Sequence, residues 1–88
     1  MSISELKGLG PKSAASLATI NIHSVEKFMA TDAFQMYTQL KIVSPRTSLN
    51  MLYAMIGAQE NIHWQEVART RKVEILMRLD DMNLAPKR

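Results

Sequence analysis

Cysteine is absent from this chain, which excludes disulfides, thiolate metal sites and a cysteine nucleophile together and accords with a reducing compartment. Glycine and proline are scarce, three of each, so there are few places where a helix is obliged to break. No apolar run approaches the roughly 20 residues of a membrane span, and the N-terminus lacks the basic-then-apolar order of a secretory signal. Sustained alternation of apolar and polar residues, the mark of a half-buried strand, is also missing. The expectation is a soluble, cytoplasmic, all-α protein without a membrane partner.

What is present fits one small domain. Eighty-eight residues, 47% hydrophobic and 22% charged, form a globular composition rather than a disordered one. A domain near this size buries roughly 60–65% of its unfolded surface and has a modest core. The domain is expected to occupy residues 1–84, with 85–88 as a frayed basic tail. The formal net charge of +3 allows a nucleic-acid partner without demanding one. Lys7 and Lys12 flank an early turn, Lys41 and Arg46 bracket a later one, and Arg69, Arg71 and Lys72 form the densest cluster.

That early turn is the most informative segment. Leu6-Lys7-Gly8-Leu9-Gly10-Pro11-Lys12-Ser13 places a glycine-apolar-glycine turn between two short helical patterns, the signature of a helix-hairpin-helix element. Gly8 and Gly10 are expected to supply positive φ and close backbone approach, and Leu9 to anchor the turn in the core. Pro11 starts the next helix, where its missing N–H costs nothing. The amides of Lys12 and Ser13 then belong to a helix N-terminus of positive character, with the Lys12 ammonium beside it. A nucleic-acid phosphate suits that arrangement. Gly8, Gly10, Lys12, Ser13 and Lys7 are the candidate backbone contacts, with Arg69, Arg71 and Lys72 as a secondary basic patch.

The remaining pattern predicts a bundle of five to six helices. A short helix near residues 2–7 precedes one from Pro11 to about Ile20, which Asn21 closes in a left-handed conformation. Ser24 caps a short helix through Phe28 and Met29, and Thr31 is expected to cap the next, whose apolar face is Ala33, Met36, Tyr37 and Leu40. Ser44-Pro45 ends it. The segment from Arg46 to Gln59 is apolar nearly all round and belongs at the centre of the bundle, with Gly57 permitting a close crossing or a late bend. The last helix runs to about Met82, its apolar side assigned to Val73, Ile75, Leu76, Leu79 and Met82 and its polar side to Arg71, Glu74, Arg78 and Asp81, with Glu74 and Arg78 as an i,i+4 pair.

No catalytic or metal constellation emerges. His23 and His63 lie far apart, each without a second ligand nearby; His23 reads as a residue at the start of a helix and His63 as one that packs or caps. Asp80 and Asp81 are adjacent and so do not face one another on a helix. Nucleophile-elbow and phosphate-loop patterns are absent. The expectation is a non-enzyme with no cofactor and no metal. Seven methionines suggest adaptable surface: Met51, Met55 and Met77 fall at core positions, whereas Met29, Met36 and Tyr37 are placed on a face that docks a protein partner or a second copy.

The ordered segments Leu9-Gly10-Pro11-Lys12-Ser13-Ala14 with Leu17, Ile22-His23, Ser48-Leu49-Asn50, Leu52-Tyr53-Ala54, Gly57-Ala58, His63-Trp64 and Arg71-Lys72 make the chain resemble the C-terminal domain of the TfoX (Sxy) family of competence regulators. The resemblance covers about residues 4–80. It implies a bacterial cytoplasmic regulator of DNA uptake with no enzyme activity, acting with the transcription machinery and the cyclic-AMP receptor protein at promoters of competence genes. Full-length members carry an N-terminal α/β domain, so the resemblance also implies a fragment or a stand-alone relative. Two readings follow. In one, the hairpin and the basic clusters hold DNA backbone; in the other, the hairpin is scaffold and the Met-rich face docks a partner or makes a homodimer.

Overall fold

The computed structural model describes residues 2–84; the expected basic tail, 85–88, lies outside the described residues. A 3₁₀ turn, Ile3–Glu5, leads into five α-helices: α1 (Pro11–Ala18), α2 (Val25–Ala30), α3 (Ala33–Val43), α4 (Leu49–Glu60) and α5 (Trp64–Asp81). Among the described residues there is no strand, and no helix is long and apolar enough to cross a membrane. The fold is a small all-α bundle in which the helix expected near residues 2–7 is only the 3₁₀ turn Ile3–Glu5, joined to α1 by a tight turn.

α4 is the central element because residues 52–58 run buried without interruption. α5 packs along one side of it and α3 along another, while α1 rests on the 3₁₀ turn and α3. Gly57 lies at a close crossing: a Cβ built there would lie 2.6 Å from the Ile62 carbonyl oxygen and 3.4 Å from the Trp64 amide nitrogen. The close crossing therefore involves the α4–α5 connector, whose backbone occupies the place of a side chain.

Asparagine followed by an apolar residue ends three helices in the same way. Asn21, Asn61 and Asn83 adopt φ of 65°, 58° and 61°, a conformation in which asparagine is among the few tolerated side chains. The next amide in each case reaches back five residues: Ile22 N to Leu17 O at 3.0 Å, Ile62 N to Gly57 O at 2.9 Å and Leu84 N to Leu79 O at 2.8 Å. Orphan carbonyls are thereby satisfied while the apolar side chain turns back to the core.

Helix starts follow side-chain chemistry, with one correction. Ser24 Oγ accepts from the Lys27 amide at 3.1 Å as expected, but the cap of α3 is Asp32, whose Oδ1 accepts from the Phe34 amide at 2.7 Å. Thr31 instead ends α2, its hydroxyl donating to the Lys27 carbonyl at 2.7 Å. Asp32 also holds Arg78 Nη2 through Oδ2 at 3.1 Å, and the Arg78 guanidinium lies 4.1 Å from the Phe34 ring centre. Arg78 thus joins α5 to α3, and no Glu74–Arg78 ion pair forms.

The apolar assignments are revised at four residues. Met36 and Tyr37 are buried, at 0% and 2% exposure, because they lie on the face of α3 that joins the core, whereas Ile42 and Val43 at the end of α3 are exposed; only Met29 of the expected docking face is exposed. Conversely, Val73 and Met77, assigned to the core, are 72% and 65% exposed. Each is two residues from buried Ile75, and at about 100° per residue that places both roughly 160° away around the helix.

Candidate nucleic-acid interface

The hairpin is built by one hydrogen bond and one torsion. The Leu9 amide donates to the Leu6 carbonyl at 3.0 Å, closing a four-residue turn with Gly8 third at φ +82°, the position that demands a left-handed residue in a type II turn. Leu9 then enters the core at 7% exposure. Gly10 corrects the sequence reading: its φ of −136° is ordinary extended backbone, and a Cβ there would meet nothing within 4 Å. Its contribution is open space over the start of α1. The Ala14 amide donates to the Gly10 carbonyl at 3.0 Å, while the amides of Lys12 and Ser13 have no hydrogen-bond partner among the described residues.

A cleft of about 480 Å³ opens beside these amides, lined by Lys12, Ser13 and Ser16 of α1 and by Arg46, Thr47 and Ser48 before α4. Arg46 is the residue that sequence reasoning missed as a site residue. It stands far from Lys12 along the chain, and the sequence marks it only as a cation that brackets a turn with Lys41, in the hydroxyl-rich run Ser44-Pro45-Arg46-Thr47-Ser48. Lys41 fixes that run from below, its Nζ donating to the Pro45 and Thr47 carbonyls at 2.8 and 3.2 Å. Ser48 starts α4 without a side-chain cap bond, so two helix N-termini flank the same cleft.

The cleft continues along the surface. A depression of about 260 Å³ shares Ser13, Ser48 and Met51 with it and adds Gly8 and Trp64; a third, of about 470 Å³, shares Asn50 and Trp64 with the second and ends at Arg69 and Lys72. No carboxylate lines any of the three. Trp64 sits at the middle, close enough to the hairpin that its Cδ1 would lie 3.9 Å from a Cβ at Gly8. His63 stacks on it with ring centres 6.0 Å apart and caps α5, Nδ1 accepting from the Gln65 amide at 3.1 Å.

The structure brings Gly8, Lys12, Ser13, Arg69 and Lys72 onto this band. Gly10 lies between Leu9 and α1, and Lys7 is exposed on the turn but lines none of the depressions. Arg71 is taken out of the basic patch: its Nη1 lies 2.6 Å from both carboxylate oxygens of Glu60, and Glu74 approaches at 3.8 Å. The bond to Glu60 raises the Arg71 pKa, against the opposing effect of its partial burial. Arg69 pairs with Glu66 one turn earlier, and because α5 starts at Trp64, the cluster lies beyond the first turn and does not oppose the helix dipole.

A tight glycine turn ahead of α1, a central apolar helix and a basic band whose three depressions no carboxylate lines define a small helical domain with a polar face. The family model for the TfoX C-terminal domain matches residues 1–79, and the chain belongs to that family. Comparison with curated proteins and with solved structures returns no match.

Proposed function

We propose that the chain is a non-enzymatic regulatory domain of the TfoX type that holds the phosphate backbone of DNA along the band from Arg46 and Lys12 to Lys72. The observation that carries this reading is the first cleft, where two cations from distant parts of the chain stand among hydroxyls, beside the unpartnered Lys12 and Ser13 amides and with no carboxylate. Phosphate oxygens need hydrogen-bond donors and positive charge, and both converge there. Such contacts set position and affinity and carry little base readout. Regulation of competence genes, in a cytoplasmic setting and with the cyclic-AMP receptor protein as partner, belongs to this proposal through the family resemblance. A docking face centred on Met36 and Tyr37 has no support, since both side chains are buried.

Fluorescence anisotropy of a labelled duplex tests the proposal. Binding is expected to weaken steeply with salt, log K falling by about 0.9 per neutralised phosphate for each unit of log salt, and Lys12→Glu is expected to weaken it further while leaving the helical circular dichroism unchanged. Salt-insensitive binding, no binding at low salt, or a Lys12→Glu variant equal to the native chain would overturn it.

A further inference from the structure

Two of the five large apolar side chains left exposed, Val73 and Met77, lie on the outer face of α5, among exposed residues spaced symmetrically about one position. Arg69, Thr70, Val73, Met77, Asp80 and Asp81 are all exposed and fall within about 120° of arc at 100° per residue. Their centre is Ile75, which is buried on the opposite side. Val73 and Met77 stand two residues either side of that centre, Thr70 and Asp80 five, and Arg69 and Asp81 six.

We infer that this face of α5 pairs with the same face of a second copy, antiparallel, about a two-fold axis passing Ile75. In that arrangement Val73 of each copy meets Met77 of the other, and the four side chains form a small apolar centre. Arg69 of each copy lies on the same edge of the seam as Asp80 of the other, so opposite charges flank the centre at both ends, and Thr70 lies on the other edge beside Asp81. A parallel pairing sets Arg69 against Arg69 and Asp81 against Asp81. Charge therefore selects the antiparallel register, and a closed two-fold contact requires this kind of self-complementary surface. Lys72 and Arg78, which an antiparallel seam would otherwise juxtapose, are turned to the far side of the helix and do not oppose the contact. The existing Arg69–Glu66 pair does not compete strongly, because both side chains are solvated, at 70% and 48% exposure. The seam is short, so the dimer is a concentration-dependent one. Arg69 serves both this seam and the end of the basic band, but the seam is tested without nucleic acid.

Sedimentation velocity of the full chain, from micromolar to about 1 mM, is the test. The native chain is expected to pass from 10.0 kDa to twice that mass as concentration rises, and to return towards monomer at high salt. Val73→Glu with Met77→Glu is expected to weaken association by about tenfold or more with unchanged circular dichroism, both positions being exposed. Arg69→Asp and Asp80→Arg are each expected to weaken it, and the two combined to restore it. A native chain that stays monomeric throughout, a dimer insensitive to the Val73 and Met77 changes, or a combined charge exchange that restores nothing would each overturn the inference. None of these readouts depends on nucleic acid, so they fail or succeed separately from the phosphate contacts.

Discussion

The two basic clusters of this molecule differ in what faces them. Arg69, Arg71 and Lys72 form the denser group along the chain, yet Glu66 and Glu60 engage its two arginines, and one of these, Arg71, is withdrawn from the surface band. Lys12 and Arg46 are isolated in sequence, but the bundle sets them across one cleft with hydroxyls and free amides between them. Cations that neighbour one another on a helix also neighbour that helix's carboxylates one turn away. Cations brought together by tertiary packing escape this neutralisation, so proximity in space counts for more than density in sequence.

The contrast is broken most completely at the joint that holds both clusters on one side of α4. Gly57→Ala improves helix propensity but drives a methyl group into the Ile62 carbonyl, and is expected to destabilise the fold by about 1–3 kcal/mol, measured by urea denaturation. A variant as stable as the native chain would show that the connector yields without cost. Next in size, Lys12→Glu combined with Arg46→Glu should lower duplex affinity by at least about tenfold and reduce the salt slope by nearly two phosphates, whereas Arg71→Gln should leave the slope unchanged. Equal slopes for the two variants would erase the distinction between the clusters. Glu60→Gln should cost about 0.5 kcal/mol of stability, the pair being partly solvated, with duplex affinity within about twofold of native; a marked gain in affinity would mean that the released Arg71 reaches the backbone.

A smaller effect appears in alkali at the end of the band that Lys72 marks. Tyr53 lines that depression, its hydroxyl is buried without a hydrogen-bond partner, and burial raises its pKa above the ordinary phenol value. Tyr37 is shifted in the same direction, chiefly by burial and then by Tyr53. A raised folded-state pKa means that the folded chain keeps its proton where the unfolded chain has begun to lose it. The resulting stability is complete below about pH 10 and is lost as pH climbs through the raised value. Thermal denaturation between about pH 9 and 11 should show this loss, and Tyr53→Phe should reduce it.

Much of the architecture was legible because it is local. Pro11 and Ser24 mark helix starts, Ser44-Pro45 marks an end, and the all-round apolar character of α4 identifies the central helix before any packing is known. What escaped depended on orientation or distance. Thr31 and Asp32 are adjacent candidates for one cap, and the carboxylate prevails through its bond to the Phe34 amide. Val73 looked apolar enough for the core, but helical rotation carries it away from Ile75. In the candidate site, Gly8 and Lys12 could be read from the turn, while Arg46 could not, because nothing in the chain declares that the α3–α4 connection lies beside α1. Gln59 was silent for the same reason, although its Nε2 donates to the Phe28 and Thr31 carbonyls at 2.9 and 2.7 Å and ties α4 to the end of α2.

The chain has one tryptophan, and it lies against the bend that opens the bundle. Its emission therefore comes from a single place, midway between the two groups of cations, where an arriving polyanion would change the local field and the access of water. The protein carries its own optical gauge for occupancy of that face, and ultraviolet fluorescence can follow it without an attached dye.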